Sequence, residues 1–308
     1  MKQKFIIAID LGGTNLKIAI LDLKYRVITK EVLSTSGFRG KNKLILVILR
    51  SVKGIIASCG LTAKDILGLG IGVPGPVDYQ NGIVHFLPNI PGWKEIKLRD
   101  TLKARLRLPI FLDNDAKLMA LAEYKLGKAR GFRNALCITL GTGVGAGIII
   151  DGQLFRAANN AAGEIGHLPI NEKGPRCNCG GTACLEAYIG NNRIKAQAKK
   201  IFRRNISLEE LSSLAKKNNH KALNIWRSVG THLGVALSGV VNLLNLDAII
   251  IGGGVANAGS ILFKQIKNTI KERSMSVQAG HVKVFKAKLG KDAGLFGAAV
   301  LVREGLAK

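Results

Sequence analysis

The sequence predicts an α/β fold with an internal repeat, on two observations. Hydrophobic residues make up 47% of the 308 residues and 37 residues are glycine, while only 5% are aromatic. This composition is typical of a soluble α/β protein with many tight turns. In addition, a strand, a turn rich in Gly and Thr, and a returning strand occur twice, at 4–23 and at 134–155. The order of elements around both copies agrees with an ancient duplication.

The first hairpin consists of KFIIAID at 4–10, the turn LGGTN, and LKIAILDL at 16–23. Glycines in such a turn let backbone N–H groups approach phosphate oxygens, and Thr14 adds a hydroxyl donor. Asp10 ends the first strand, where its carboxylate can hold Mg²⁺ through water. The turn therefore has the composition of a phosphate-binding loop, although an ordinary β-hairpin explains the same residues equally well.

Three segments follow this hairpin. Residues 41–58 have the apolar spacing of an amphipathic helix. Residues 67–78 predict a strand that ends in a Gly/Pro-rich loop containing Gly75, and 88–96 predict an irregular loop containing Asn89. Polar loops after strands often bind small molecules, but plain turn chemistry is an equal alternative for each of these loops.

Three polar residues, Asp113, Asn114 and Asp115, separate the strand IFL from the helix AKLMALAEYKLG. An Asn or Asp is the usual N-cap of a helix, which is the structural alternative here. One cap requires only one such residue, so side chains remain for chemistry. A carboxylate at the carboxyl end of a strand is well placed to accept a proton from a bound hydroxyl group.

The second hairpin, at 134–155, carries LGTGVGAG and is followed by a helical run that ends near residue 245. A strand within 246–259 then ends in the glycines 252–254. Such a glycine turn between a strand and a helix can bind a nucleotide or serve only as a turn. A helix rich in Ala and Gly closes the chain at 291–305.

A possible metal site lies within 163–186, a stretch interrupted by Gly and Pro. Cys177, Cys179 and Cys184 are spaced two and five residues apart, and His167 lies ten residues before the first of them. Three thiolates and one imidazole form a tetrahedral structural zinc set. A reduced, buried cysteine cluster and a disulfide with one odd thiol are the alternatives.

Seven motifs follow one another in the order DLGGTN, GVPGPVD, LDNDA, LGTGVGAG, GEIGH with its Cys-x-Cys-Gly-x-x-x-Cys-Leu-Glu run, IIIGGG and AGLFGAA. Together they resemble the ROK family of bacterial sugar kinases and sugar-responsive repressors, over nearly the whole chain. Two positions depart from the family pattern, because Ala146 and Ala183 stand where the family usually has glycine. The methyl group of Ala183 is tolerable unless the backbone there needs a positive φ.

The resemblance implies a two-domain, duplicated, actin-like ATPase fold of the ribonuclease H-like kind, with a cleft between the domains. The small N-terminal domain would comprise 1–116 plus about 293–308. The large C-terminal domain would comprise 117–292 and contain the zinc loop 163–186.

The resemblance also implies a role for each motif residue. The catalytic base would be Asp115, and the sugar would be bound by Gly75, Asn89, Asn114, Asp115, Glu164, His167 and Glu186. ATP with Mg²⁺ would be bound by Asp10, Gly12, Gly13, Thr14, Asn15, Lys17, Gly141, Thr142, Gly143, Gly253 and Gly254. One ring nitrogen of His167 would bind structural Zn²⁺ with Cys177, Cys179 and Cys184, while the other faces the sugar.

The formal net charge of +26 leaves open a nucleic-acid partner, attraction of anionic substrates such as ATP, or merely a Lys-rich surface. The charge is densest at 193–204 and 264–273, where apolar residues recur at helical spacing. We therefore expect solvated faces of amphipathic helices and no nucleic-acid partner. No apolar run approaches the roughly twenty residues of a membrane span, and the run FIIAI is too short for a signal peptide. A cytoplasmic location is expected.

Two classes of function compete. The first is an ATP-dependent, glucokinase-type enzyme that phosphorylates the 6-hydroxyl of glucose, with N-acetylmannosamine, N-acetylglucosamine or fructose as alternative sugars. The second is a sugar-responsive repressor, which in this family carries an N-terminal helix-turn-helix domain. The first strand begins by Phe5, which leaves no room for that domain, and both phosphate loops and Asp115 are present. We expect the kinase, and by resemblance a homodimer or homotetramer.

Overall fold

The computed structural model describes residues 3–37, 40–87, 90 and 92–307. The chain divides into two compact units, the first formed by 1–126, 156–162 and 291–308 and the second by 127–155 and 163–290. Each unit contains one five-stranded sheet with helices packed against it, so the predicted α/β class is confirmed.

The bounds of the strands and helices are as follows. The strands are β1 (Phe5–Leu11), β2 (Asn15–Asp22), β3 (Val27–Ser34), β4 (Ile66–Val73), β5 (Val77–Asp78), β6 (Ile83–Phe86), β7 (Lys94–Ile96), β8 (Ile110–Asn114), β9 (Ala135–Leu140), β10 (Val144–Ile150), β11 (Gln153–Phe155), β12 (Ala248–Gly252) and β13 (Lys283–Lys286). The helices are α1 (Lys41–Ser58), α2 (Leu98–Leu106), α3 (Asp115–Leu126), α4 (Glu186–Ile189), α5 (Asn191–Phe202), α6 (Leu208–Lys216), α7 (His220–Leu244), α8 (Ser260–Arg273), α9 (Ser276–His281) and α10 (Ala293–Leu306).

The two large sheets share one topology. The strand order is β3-β2-β1-β4-β8 in the first unit and β11-β10-β9-β12-β13 in the second. In each sheet the first three strands in the chain are antiparallel neighbours. The other two strands pair in parallel. The repeat predicted from the two hairpins is therefore present in the fold.

Alternate residues of β1 face two apolar layers, as the strand period of two requires. Ile7 and Ile9 pack in a cluster with α1 and α2, whereas Ile6 and Ala8 pack with α3 and α10. All four side chains are fully buried. The uninterrupted apolar run of this strand is what a strand covered on both faces needs.

The last helix, α10, packs closely on the first sheet because glycines remove side chains from the contact. A Cβ atom on Gly70 in β4 would lie 2.0 Å from the carbonyl oxygen of Ala298. A Cβ atom on Gly297 in α10 would lie 1.9 Å from the carbonyl oxygen of Leu118 in α3. The division into units accordingly places all of α3 in the first unit, beyond the boundary at 116 expected from the sequence.

The core of the second unit is organised around α7, which has 25 residues. Its buried residues include Trp226, Leu233 and Leu237. Gly230 and Gly234 let α8 approach, since a Cβ on Gly234 would lie 2.5 Å from the Cβ of Thr269.

Most predicted elements are found, and the missed ones lack a strong apolar pattern. The helix predicted at 41–58 is α1, and the basic stretches at 193–204 and 264–273 fall on α5 and α8, which bury their apolar residues. The edge strand β3, in contrast, has only exposed and half-buried residues. The three-stranded sheet β5-β6-β7, which spans the predicted irregular loop, is also additional to the prediction.

Two remaining expectations depend on which residues the structure describes. Asn89, a predicted sugar ligand, lies outside the described residues. Within them, no helix combines the length and the apolar character that crossing a membrane requires.

We expect Gly70→Ala to destabilise the first unit by about 3 kcal/mol, because the added methyl group meets the backbone of α10 rather than a movable side chain. Urea denaturation gives the free energy of unfolding. The control is Gly54→Ala in α1, where the added carbon would meet no described atom within 4 Å beyond its neighbours in the chain and the backbone of its own helix. It should stabilise the protein by about 0.5–1 kcal/mol, since glycine is unfavourable inside a helix. Equal stability of the two variants would contradict this account of α10 packing.

Candidate functional site

The first hairpin turn joins β1 to β2 and holds an ion pair at its base. Asp10 and Lys17 are cross-strand partners, and Lys17 Nζ donates a hydrogen bond to Asp10 Oδ2 at 2.9 Å. Lys17 also donates to the carbonyl oxygen of Lys291. Only 15% of the Asp10 side chain and 21% of the Lys17 side chain are exposed. Both predicted ATP ligands therefore have a fixed place beside the turn.

The tip of this turn is exposed. Gly12 N donates to the carbonyl oxygen of Asn15 at 2.8 Å, which closes the turn. Thr35 holds it from behind, because its Oγ1 donates to Gly13 O at 2.9 Å and its backbone N–H donates to Thr14 O at 2.9 Å. Residues 13–15 are exposed, so the Thr14 hydroxyl is accessible to a ligand.

Gly294, near the start of α10, is a site residue that the sequence reasoning missed. A Cβ atom at this position would lie 2.6 Å from Cγ of Asp10, and both carboxylate oxygens would lie within 2.8 Å of it. The glycine therefore makes room for the Asp10 carboxylate. The corresponding signal in the sequence is the first glycine of AGLFGAA, a stretch that predicts only a closing helix.

The junction of β8 and α3 brings together three predicted substrate residues. Asn114 Nδ2 donates to the carbonyl oxygen of Gly75 at 3.0 Å. Asn114 Oδ1 accepts the N–H of Ala116 at 3.0 Å and that of Lys117 at 3.2 Å, so this side chain caps α3. Asp115 Oδ1 accepts the N–H of Ala116 at 2.8 Å. Asp115 is a partly exposed residue and directly follows Asn114, whose amide contacts the Gly75 loop.

Asp113, in contrast, is fully buried. Arg156 Nε and Nη2 donate to its Oδ2 at 2.9 and 2.7 Å, and the backbone N–H of Asn114 donates to its Oδ1 at 2.8 Å. The guanidinium carbon of Arg156 also lies 4.0 Å from the centroid of the Tyr79 ring. The sequence reasoning missed Arg156, since no motif marks it.

The second glycine turn, Gly141–Gly143, connects β9 to β10 and is buttressed by a carboxylate. Glu186 Oε2 accepts the N–H of Val144 at 2.8 Å. A Cβ atom on Gly143 would lie 2.5 Å from that oxygen. Glu186, predicted to bind sugar, thus also holds the turn predicted to bind phosphate.

The glycine turn after β12 lies against the same turn. Gly253 has φ +86°, and a Cβ atom there would lie 2.1 Å from the carbonyl oxygen of Leu140. Both the dihedral and the contact require glycine. The predicted ATP residues of the second unit are therefore neighbours: Gly141, Thr142, Gly143, Gly253 and Gly254.

The GEIGH motif runs directly beside β10. A Cβ on Gly163 would lie 2.5 Å from the carbonyl oxygen of Ala146, and one on Gly166 would lie 2.2 Å from that of Val144. Between these glycines, Glu164 is exposed and precedes a 3₁₀ turn, Ile165–His167. His167 Nε2 lies 4.0 Å from Glu164 Oε2. The two predicted sugar ligands are therefore adjacent.

Four side chains form a cluster that can hold a metal ion: His167, Cys177, Cys179 and Cys184, whose ligand atoms all lie within 4.8 Å of one another. Cys177 Sγ is 3.7 Å from His167 Nδ1, and Cys179 Sγ is 3.7 Å from Cys184 Sγ. A tetrahedral zinc ion with Zn–S bonds of about 2.3 Å has ligand atoms roughly 3.8 Å apart. The donor set and spacing fit such an ion, and all the cysteines of the cluster are free thiols rather than disulfides.

The cysteines have different electrostatic environments. A hydrogen bond from the backbone of Gly181 lowers the pKa of the Cys179 thiol. Burial raises the pKa of the Cys184 thiol to about 12, with a further contribution from Cys179. A bound cation reverses the second effect, because a thiol that coordinates a metal is deprotonated.

The two departures from glycine have different consequences. Ala183 has φ +58°, the condition under which its methyl group is unfavourable, whereas Ala146 has no positive φ and fits the strand β10. Ala183 is fully buried and packs close to Gly174, where a Cβ would lie 2.9 Å from the Ala183 Cβ. The cysteine loop therefore retains a left-handed residue without glycine.

Two sheets of identical topology, each with a glycine-rich turn between its first two antiparallel strands, define a member of the actin-like ATPase fold class. The ROK family model matches residues 6–305, and the chain belongs to the ROK family.

The chain resembles both enzymes and regulators. It is 32% identical to a glucokinase of Halalkalibacterium halodurans, over 99% of this chain and 96% of the relative. It superposes with a TM-score of 0.84 on a ROK family glucokinase from Streptomyces griseus in complex with glucose and AMPPNP, at 30% identity over 98% of this chain and 100% of the other. It superposes with a TM-score of 0.91 on a ROK family transcriptional regulator, a homologue of the E. coli MLC protein, at 27% identity over 98% of this chain and 78% of the other.

We expect about one metal ion per chain in the purified protein, and Cys179→Ser should remove it, because a hydroxyl is a poor substitute for a thiolate. The melting temperature should fall with the loss of the metal, since binding free energy is also folding free energy. Elemental analysis and calorimetry measure both. Cys59→Ser, outside the cluster, is the matched control and should retain the metal. A wild-type protein without stoichiometric metal would contradict the assignment.

Proposed function

We propose that the protein is an ATP-dependent sugar kinase that transfers the γ-phosphoryl group of ATP to the 6-hydroxyl of glucose. The observation that carries this proposal is the position of Asp115, a partly exposed residue at the carboxyl end of β8, directly after Asn114, which contacts the Gly75 loop. The full-length likeness to glucokinases supports it.

The nucleotide is assigned to the glycine turns. In the first unit the exposed residues Gly13 and Thr14 offer backbone N–H groups and a hydroxyl. In the second unit Gly141–Gly143 and Gly253–Gly254 lie next to each other, and a Cβ atom placed on Gly141 or Gly254 would meet no neighbouring group within 4 Å. Backbone N–H groups presented in this way suit phosphate oxygens, since each adds a fixed positive partial charge.

The sugar is assigned to carboxylates, an amide and an imidazole. Glu164 and His167 lie side by side, and the Glu186 carboxylate is held in place because its Oε2 accepts the Val144 N–H. Such groups suit a polyol, because a carboxylate or an amide can bind two neighbouring hydroxyls. In this proposal Glu164, His167 and Glu186 bind the ring hydroxyls and Asp115 is the base.

The reaction is an in-line displacement. The sugar hydroxyl oxygen forms the new bond to the γ-phosphorus while the bond from that phosphorus to the bridging oxygen of ADP breaks. Asp115 accepts the hydroxyl proton, and ADP leaves with the electron pair. The protein supplies mainly positioning and neutralisation of charge, to which the net charge of +26 contributes a favourable field.

Two ions belong to the proposal. Mg²⁺ near Asp10 would neutralise phosphate charge, and that carboxylate fits because its ion pair with Lys17 is made through Oδ2. Zn²⁺ is the metal proposed for the His167 cluster, where its four protein ligands make the site structural. His167 Nδ1 faces Cys177, so the metal would leave Nε2 directed toward Glu164.

A sugar-responsive transcriptional regulator is the second candidate, favoured by the TM-score of 0.91 to such a protein. The two candidates differ in what each requires. A kinase needs the base and the phosphate turns, whereas a regulator needs a DNA-binding surface. We propose the kinase because the residues of both turns and Asp115 are present and suitably exposed.

The central experiment measures ADP release with glucose, N-acetylmannosamine, N-acetylglucosamine and fructose, beside a gel-shift assay with genomic DNA at physiological salt. Glucose should give the highest kcat/KM and no DNA should shift. Better turnover of another sugar would replace the named substrate but retain the kinase. Tight DNA binding without phosphorylation of any sugar would overturn the kinase.

Asp115→Asn should lower kcat by about a hundredfold or more while the sugar KM changes little, because the amide keeps the shape but cannot accept the proton. The matched control is Asp100→Asn, an exposed carboxylate on α2 of the same unit, which should retain full activity. Near-normal turnover of Asp115→Asn would mean that the base is another residue.

Gly294→Ala should raise the KM for Mg-ATP by about tenfold, because the methyl group displaces the Asp10 carboxylate and about 1.4 kcal/mol of binding corresponds to a tenfold change. Steady-state kinetics with ATP varied at saturating sugar measures this effect. The sugar KM should stay close to that of the wild type. An unchanged KM for Mg-ATP would remove Asp10 from the proposed nucleotide site.

A further inference from the structure

The ion pair between Asp113 and Arg156 joins distant parts of the chain within the first unit. Asp113 is the penultimate residue of β8, immediately before Asn114 and Asp115. Arg156 is the first residue of the segment 156–162, which separates β11 from the GEIGH motif and belongs to the first unit. The two residues are 43 positions apart in the sequence.

The hydrogen bonds of this ion pair fix the orientation of both side chains. Both Arg156 donors converge on Asp113 Oδ2, and Asp113 Oδ1 accepts the backbone N–H of Asn114. The Tyr79 ring covers the guanidinium at 4.0 Å. A stacked arginine with two donors to one carboxylate has a fixed plane, which a lysine cannot reproduce.

Burial makes the pair necessary. The Asp113 side chain has no solvent exposure and that of Arg156 is only 18% exposed. An unpaired buried carboxylate is strongly unfavourable, so removal of the arginine requires Asp113 to move, to become protonated or to admit water. Any of these changes acts on the hydrogen bond from Asn114 N–H to Asp113 Oδ1.

The segment after Arg156 is held at its other end as well. Lys117, buried in the first turn of α3, donates from Nζ to the carbonyl oxygen of Asn160. The N–H of Ala162 donates to Arg156 O at 3.3 Å, which closes the segment into a loop. The segment therefore contacts β8 and α3 on both sides of Asn114 and Asp115.

We propose that Arg156 is a positioning residue for the phosphoryl-transfer site. It fixes Asp113, which fixes the backbone of Asn114 and thereby the direction in which Asn114 and Asp115 leave the strand. It also fixes the segment by which the chain leaves the first unit at Ala162, two residues before Glu164. This inference rests on the proposed function, in which Asp115 is the base and Asn114 and Glu164 bind sugar.

Three variants test the proposal. Arg156→Met removes the guanidinium, and Arg156→Lys keeps the charge without the paired donors. The matched control is Arg26→Met, which breaks another arginine pair to a buried carboxylate in the same unit, Arg26 Nε to Asp22 Oδ2 at 2.6 Å. Asp22 is only 3% exposed, but it lies at the turn between β2 and β3, which carries no proposed site residue.

Kinetics per mole of folded protein, measured well below each melting temperature, give the first readout. Arg156→Met should lower kcat by about tenfold to a hundredfold, since small misplacements of reacting groups have effects of this size. It should also raise the sugar KM and leave the KM for ATP unchanged. Arg156→Lys should recover most of the melting temperature but little of kcat. Arg26→Met should lower the melting temperature and leave kcat and both KM values as in the wild type.

Amide hydrogen exchange gives a readout that does not depend on kinase activity. Arg156→Met should accelerate exchange at 113–117 and 156–163 together, while Arg26→Met should affect only 22–27. If the wild type phosphorylates no sugar, the proposed function fails, and exchange still decides whether Arg156 orders 113–117. Unchanged exchange at 113–117, or kinetic constants of Arg156→Met equal to those of Arg26→Met, would overturn the inference.

Discussion

The close packing of α10 against β4 and α3 is the constraint on which the first unit depends. Two backbone carbonyl groups, those of Ala298 and Leu118, occupy space that a side chain on Gly70 or Gly297 would fill. The same helix brings Gly294 against the Asp10 carboxylate. The helix α10 therefore determines where the first glycine turn and the β8–α3 junction lie. The packing of α10 and the geometry of the proposed site depend on each other, because the residues that permit the packing border the residues proposed to bind ATP.

In the second unit, other glycines permit similar close approaches of the backbone. Gly253 admits the backbone of Leu140, and Gly163 and Gly166 let the GEIGH motif lie against β10. These glycines are required by close backbone approaches rather than by flexibility. A duplicated sheet thus carries two glycine turns at equivalent hairpins, β1–β2 and β9–β10, while the surrounding helices have diverged. This divergence explains why the repeat is visible in the sequence only at the turns.

The sequence was sufficient for features that are local or carried by a motif. Apolar spacing predicts the helix α1, which the structure contains. Ligand type predicts the four metal-binding candidates, and their side chains form one cluster. It was insufficient for pairings set by topology, such as Arg156 with Asp113 or Gly294 with Asp10. The partners of such pairs lie far apart in the chain, and neither residue carries a pattern of its own. The positive φ of Ala183 is a further case, since alanine gives no signal for a left-handed backbone.

Glu186 links the candidate metal cluster to the glycine turn Gly141–Gly143. The cysteine loop ends at Cys184, and the N–H of Leu185 donates to Leu168 O at 2.9 Å, so the chain is already fixed when it reaches Glu186. The carboxylate of that residue holds the turn Gly141–Gly143 through Val144 N–H. An ion bound to the cysteine loop would therefore also order a proposed phosphate turn, over two residues of chain and one hydrogen bond. Through His167, the same ion would orient an imidazole beside Glu164. Both effects depend on ligands that are held rigidly. A structural site with four protein ligands provides this rigidity and needs no open coordination position.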